Sequence, residues 1–304
     1  PTGIRTLVIA VRGQYDWPDY TIGAHSLLVE RRLKPFRFRA TVWRSTAPDP
    51  EDFTDAPSGD RMVELDGATA LVTGASAGIG EATARALAGE GADVALLARR
   101  VDRLESLAAT LRDEYGVEAA AYPTDVREEA VVEEAVDRTV EEFGGLDVVV
   151  SNAGLARGSD VEDLTTEEYR TMMETNVDGT FFLTRSALPH LREAGGNLVF
   201  VGSFAGEYPR PFNPVYAATK WWLRGFAHSV EAAVGDGVGV TVVNPTEVRT
   251  EFGAEYGETF AERFEAGEVL EPEEVADAVT FAAGQTNGTV HELDLYRRDK
   301  FEGF

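Results

Sequence analysis

The sequence predicts an α/β fold: a doubly wound parallel sheet of about seven strands, forming a single domain over residues 63–304 behind an N-terminal extension of residues 1–62. Three observations lead there. Short β-rich apolar runs alternate with longer amphipathic stretches from residue 68 onward, and the apolar runs are continuous, as strands covered on both faces require. The first run passes through a glycine-rich turn straight into a helical pattern. A chain of 304 residues with 43% hydrophobic content has enough apolar material for one large core.

The strands read in order as "TALVTG" (69–74), "DVALLAR" (93–99), "EAAAYPT" (118–124), "LDVVVSN" (146–152), "NLVFVGS" (197–203), "VGVTVVNP" (238–245) and "VHELDL" (290–295). Helical segments fall between them, among them 80–90, 102–114, 127–143 and 214–234. Ahead of the first strand, residues 1–62 carry a basic-aromatic stretch, "RRLKPFRFRATVWR" (31–44), and then "STAPDPEDFTDAPSGD" (45–60), whose composition is that of a linker. We read this part as a dispensable extension, with Met62 as a candidate start, and not as a nucleic-acid arm.

Charge excludes several function classes. The chain carries 28 basic and 53 acidic residues, a net charge of -25, and the excess lies almost wholly after residue 62. Such a surface repels nucleic acid and anionic membranes. It suits concentrated salt, where screening shortens to about 3 Å, and points to a halophile's cytoplasmic protein. Cysteine is absent, which removes disulfides, thiolate nucleophiles and cysteine-ligated metals. His25, His190, His228 and His291 are scattered without metal-ligand spacing, so no metal site is expected. No apolar run approaches the ~20 residues of a membrane span, "TLVIAV" is shorter than a signal-peptide core, and no apolar segment follows Arg31-Arg32 to make an export signal.

Polar punctuation locates the chemistry. In "TGASAGIG" (73–80), Gly74, Gly78 and Gly80 leave a side-chain-free turn, so backbone can approach a phosphate at a helix N-terminus. Strand two ends in Ala98, followed by Arg99 and Arg100, where an NAD enzyme would offer a carboxylate; arginine there favours the extra phosphate of NADP. Asp125, Asn152, Ser203 and Pro245 each follow a strand, at the sheet edge where ligands bind. Tyr216 and Lys220 stand at i and i+4 on one helix face, in a chain with only three lysines. A neighbouring ammonium stabilises a phenolate, so the pair predicts a tyrosine with a lowered pKa.

Taken in order, T-G-x-x-x-G-x-G at 73–80, Asp125-Val126, Asn152-Ala153-Gly154, Asn176 in "METNVDG", Ser203 in "VGSFAG" and Y-x-x-x-K at 216–220 resemble the short-chain dehydrogenase/reductase family over residues 65–296. The resemblance implies a Rossmann-like domain, an NADP or NAD cofactor, a small carbonyl or alcohol substrate, and a homodimer or homotetramer. It implies that Ser203 hydrogen-bonds the substrate oxygen, that Tyr216 is the general acid or base, that Lys220 holds the nicotinamide ribose, and that Asn176 and Lys220 form a proton relay. Cofactor contacts fall by the same resemblance on Ser76, Ile79, Val126, Ala153 and Gly154 together with the positions above. Two departures stand out: Ser151 replaces the first asparagine of the family's N-N-A-G, and Thr246 replaces the glycine after Pro245.

The stretches 155–160, 250–270 and 290–298 are similar to the NADP-dependent 3-hydroxy acid dehydrogenase branch, with a 3-oxoacyl carrier-protein reductase as the nearest enzymatic alternative. Arg157, Arg210 and Arg249 are candidates to recognise a substrate carboxylate. A silent nucleotide-sensing or scaffold protein on the same fold is the alternative of another class; retention of Asn176, Ser203, Tyr216 and Lys220 speaks against it.

Overall fold

The computed structural model describes residues 65–157, 160–254 and 257–301; the expected extension over 1–62 lies outside them. Seven parallel strands form one sheet in the order β3-β2-β1-β4-β5-β6-β7. They are β1 (Thr69–Thr73), β2 (Asp93–Ala98), β3 (Ala119–Pro123), β4 (Val148–Ser151), β5 (Asn197–Val201), β6 (Gly239–Pro245) and β7 (Glu292–Leu295). All seven fall within the runs expected from the sequence. The helices are α1 (Gly78–Gly89), α2 (Val101–Tyr115), α3 (Glu129–Phe143), α4 (Thr166–Met173), α5 (Gly179–Ala194), α6 (Pro214–Val234), α7 (Phe260–Arg263) and α8 (Pro272–Ala283).

Strand periodicity divides the core into two layers. Ala70, Val72, Val94, Leu96 and Val150 face α1, α2 and α8, against Leu87, Leu104 and Val279. Their neighbours Leu71, Ala95, Leu97 and Val149 face the other way, toward Val136 of α3, Leu183 of α5 and Leu223 of α6. Each strand therefore has to be apolar on both sides, which is why the sequence shows continuous runs rather than alternation. The chain reverses its winding between β1 and β4, so the crevice at their carboxyl ends is the place a ligand enters such a sheet.

The glycine turn is built differently from its sequence reading. Gly74 and Gly78 have φ of +68° and +57°, which favours glycine at both. A Cβ on Gly74, however, would lie 2.7 Å from Asn152 Nδ2, and one on Gly80 would lie 2.4 Å from the Gly74 carbonyl oxygen and 2.6 Å from Asn152 Nδ2. At Gly80 the side chain is excluded by internal packing of the turn around Asn152, not by room kept for a phosphate. Gly80→Ala is expected to cost about 1–3 kcal/mol or more, the range of an overpacked site whose neighbour is backbone. Gly225, inside α6 with nothing within 4 Å of a built Cβ, provides the contrast: Gly225→Ala should stabilise by about 0.5–1 kcal/mol. Thermal unfolding of the two variants checks this, and equal effects would discount the packing argument.

Candidate active site

A cleft of about 1050 Å³ opens at the carboxyl ends of the strands, at the upper end of the range for small-molecule sites. Its nucleotide end is the β1–α1 turn. Ala77, the residue before α1, makes no side-chain cap, so the first amides of the helix face the cleft at the positive end of its dipole. Gly74, Ser76, Gly78 and Ile79 line this end, while Gly80 is packed behind the turn. The residues thus fit a dinucleotide pyrophosphate.

Arg99 and Arg100 stand on the cleft rim after β2, both exposed. Arg100 is already engaged: its Nε donates to Ser76 Oγ at 3.0 Å and its Nη1 to Glu251 Oε2 at 2.7 Å, while Arg103 Nη1 donates to Glu251 Oε1 at 2.8 Å. The two guanidiniums hold the Glu251 carboxyl below its ordinary value. Sequence reasoning found the arginines and missed Glu251, which follows β6 some 150 residues later.

Asp125 and Val126 line the floor beyond β3. The Asp125 carboxylate is clasped by the Arg127 guanidinium at 2.6–3.1 Å, which holds its pKa down. Asn152, Ala153 and Gly154 also line the cleft, but the Asn152 side chain serves the protein: Nδ2 donates to the Thr73 carbonyl at 2.7 Å. Thr73 Oγ1 in turn accepts from Asn152 N and Ala153 N, at 3.0 and 3.1 Å. This bracing is performed with serine at position 151, where the family resemblance puts asparagine.

At the other end, Ser203, Tyr216 and Lys220 converge. Helix α6 begins with Pro214 at its first position and Asn213 as its cap, accepting from the Tyr216 amide at 3.4 Å, so Tyr216 sits in the first turn. A Cβ on Gly206 would lie 3.0 Å from the Lys220 carbonyl oxygen, so the turn after Ser203 is pressed against α6. Ser203 and the half-buried Tyr216 line the cleft together, and the serine hydroxyl acts to lower the phenol's pKa. Lys220, 6% exposed, donates from Nζ to the Val201 carbonyl at 2.9 Å and lies 6.0 Å from the tyrosine ring centre.

The lowered tyrosine pKa expected from the sequence is not found. Burial pushes the Tyr216 phenol up, against the hydrogen bond with Ser203 and the charge of Arg210. Burial therefore outweighs the neighbouring polar groups, and the Lys220 ammonium, which donates to the Val201 carbonyl, does not reverse the direction.

Asn176 lies behind the cleft wall in a π-helical turn, Glu174–Asp178, that joins α4 to α5. Its Oδ1 accepts from Leu155 N at 2.9 Å, and Nδ2 donates to Leu155 O at 2.8 Å and to Thr219 Oγ1 at 3.0 Å. Thr219 Oγ1 donates onward to the Tyr216 carbonyl at 2.7 Å. The threonine before Lys220 is therefore a link that the sequence reading missed. A Cβ on Gly154 would lie 3.5 Å from Asn176 Oδ1 and 3.6 Å from Lys220 Nζ, so Gly154 separates the two expected relay members.

The substrate side is walled by aromatic rings. Tyr216, Phe252, Phe260 and Phe264 follow one another at centroid distances of 5.8, 5.5 and 5.7 Å. Arg157 and Arg210 line the cleft; Arg249 does not, and its guanidinium is spent on Glu271 at 2.9 Å. Pro245 closes β6 at the cleft. The unusual Thr246 accepts from Arg297 N through its hydroxyl at 3.1 Å, and Glu247 accepts from Lys300 Nζ at 2.6 and 2.7 Å. The segment after β7 is thereby tied to the loop that follows β6.

Ser203, Tyr216 and Lys220 thus meet at one end of a cleft whose other end fits a dinucleotide, and comparison with known proteins gives the class, a dehydrogenase/reductase. The sequence profile of the short chain dehydrogenase family matches residues 68–260, and the chain belongs to that family. It is 34% identical over 226 residues to an uncharacterized oxidoreductase of Staphylococcus aureus, covering 74% of this chain and 94% of that one. It resembles the alcohol dehydrogenase of Thermococcus sibiricus, solved with 5-hydroxy-NADP, with a TM-score of 0.71 and 36% identity over 75% of this chain and 96% of that one. It also resembles a 3-ketoacyl-(acyl-carrier-protein) reductase of Brucella melitensis, solved with NADH, with a TM-score of 0.70 and 28% identity over 78% of this chain and all of the other. Among the described residues, no helix is long and apolar enough to cross a membrane.

Burial draws the Lys220 ammonium down to about 8 from its ordinary 10.5. Between these values the unfolded chain binds more protons than the folded one, so this group makes stability rise with pH across that window. Measured against Lys220→Met, the wild type should gain roughly 3 kcal/mol between pH 8 and 10.5. A flat difference in denaturant midpoints over this range would contradict the burial of a cationic lysine.

Proposed function

We propose that this protein is an NADP(H)-preferring reductase of a carbonyl group, or dehydrogenase of the corresponding secondary alcohol, with a 3-hydroxy acid as its substrate class. The observation that carries the reading is the convergence of Ser203, Tyr216 and Lys220 at one end of a cleft whose other end is the uncapped start of α1. A nicotinamide dinucleotide bound there supplies or accepts the hydride. In the reductive direction Tyr216 gives its phenolic proton to the substrate oxygen, and a phenol held above its ordinary pKa remains protonated for that task. Ser203 donates a hydrogen bond to the same oxygen as charge develops on it. Lys220, anchored at the Val201 carbonyl, holds the nicotinamide ribose, while Asn176, through Leu155 and Thr219, fixes the wall from which the relay to solvent starts.

Arg210 and the ring series ending at Phe264 support a substrate with an anionic end and an apolar body. The likeness to a 3-ketoacyl-(acyl-carrier-protein) reductase supports the second reading, a carrier-bound 3-oxoacyl substrate. Turnover of free 3-oxo acids against their thioesters separates the two. We also propose a homodimer or homotetramer, supported by exposed Phe181 and Trp221 on α5 and α6, and a cytoplasmic life in concentrated salt, supported by the acidic excess.

Tyr216→Phe is expected to lower kcat by about 10²-fold or more with cofactor affinity nearly unchanged, because only the phenolic proton is lost. Lys220→Arg should also fail, since a planar guanidinium cannot replace a compact, buried ammonium at the Val201 carbonyl. Near-normal kcat in Tyr216→Phe would overturn the mechanism.

Cofactor choice gives a separate test. No carboxylate ends β2; Arg100 and Arg103 share one carboxylate, Glu251, and Arg99 stands beside them on the rim. Glu251→Gln should raise the NADP(H)/NAD(H) ratio of kcat/KM by up to about fivefold, the effect of ~1 kcal/mol at exposed ion pairs. Arg100→Ala should lower it, and high salt should narrow every difference. An NAD(H) preference in the wild type would refute the assignment of these arginines to a 2′-phosphate.

A further inference from the structure

Outside the cleft, the fold brings together two of the four histidines that are scattered in the sequence. His228 and Glu231 stand one turn apart on α6; His291 and Glu292 lie at the start of β7, the edge strand. The His228 and His291 rings are 4.3 Å apart between centroids. His291 Nδ1 is 2.7 Å from Glu231 Oε2, and His228 Nε2 is 2.9 Å from Glu292 Oε1. One ligand atom from each of His228, Glu231 and His291 lies within 4.8 Å of the other two.

Two nitrogens and one carboxylate oxygen are the donors of a three-residue zinc site that keeps a fourth position for water. Ligand atoms around zinc at about 2.0–2.2 Å stand roughly 3.3 Å apart, so the set must contract by about 1.5 Å. His291 is exposed, and His228 and Glu231 are half-buried, so side-chain rotation accomplishes this without moving α6 or β7. The surrounding charge is suitable. Arg224 neutralises Glu292 through two bonds of 2.6 and 2.8 Å, leaving Glu231 as the anionic ligand. Glu292 then occupies one ring nitrogen of His228 and leaves the other for the metal, the way an outer carboxylate orients a ligating histidine.

We propose that His228, Glu231 and His291 bind a zinc ion, with Glu292 orienting His228, and that the site staples edge strand β7 to helix α6. None of the four residues lines the cleft, so the site is distinct from the reductase chemistry. Binding is expected to stabilise the folded chain, because a preformed site is absent from the unfolded one.

The test uses the full chain, free of any histidine tag and stripped with chelator, titrated with zinc chloride by calorimetry and by thermal unfolding. One saturable site and a raised Tm are expected, with magnesium without effect. His228→Gln and His291→Gln should each weaken zinc binding by about tenfold or more while leaving carbonyl reduction and the metal-free Tm close to wild type. If His228→Gln unfolds through its contact with Glu292, the exposed His291→Gln carries the comparison. Zinc binding that is absent, or unchanged in His291→Gln, would overturn the site and leave only two hydrogen-bonded histidine–carboxylate pairs.

Discussion

The hydrogen bonds between Thr73 and Asn152 join the carboxyl ends of β1 and β4, and the rest of the cleft depends on them. The Asn152 amide fills the space beneath the glycine turn, so Gly74 and Gly80 must lack side chains for α1 to start where it does. The Thr73 hydroxyl simultaneously holds the amides of Asn152 and Ala153, which sets the course of the chain through Gly154 to Leu155. Leu155 receives Asn176, and Asn176 reaches Thr219 on the helix that carries Tyr216 and Lys220. One polar chain, part-buried at Asn152 and buried at Asn176, thus runs from the phosphate end to the proton-transfer end.

Carboxylates dominate the composition, yet three of the four that line the cleft among the described residues are partnered. Asp125 faces Arg127, Glu247 faces Lys300 and Arg210, and Glu251 faces Arg100 and Arg103. In a chain of net charge -25 this local pairing keeps the cleft receptive to anionic ligands despite the acidic surface. The same pairing joins loops distant in sequence: Glu251 connects the segment after β6 with the start of α2, and Glu247 connects it with the segment after β7.

Much of this architecture was legible in the residues. Continuous apolar runs located every strand because a sheet buried on both faces leaves no polar alternation, and the amphipathic pattern over 214–234 located α6. The glycine turn, Ser203, Tyr216 and Lys220 were legible because strand ends in a parallel sheet converge by topology alone. Arg249 was misplaced for the complementary reason: its position in sequence matched the cleft, but Glu271, 22 residues later, turns its side chain away.

What the sequence determined by itself is the family, the sheet and which polar residues stand at the strand ends around the cleft, all properties carried by local pattern and motif order. Only the tertiary structure decided the condition of those groups. The direction of the Tyr216 pKa depends on how far the fold buries the phenol, the reach of Arg100 depends on a carboxylate 151 residues away, and the meeting of His228 with His291 depends on the pairing of α6 with the last strand. Spacing along a chain records none of these, because desolvation and charge pairing act through space over a few ångströms and are set by whichever segments the fold brings side by side.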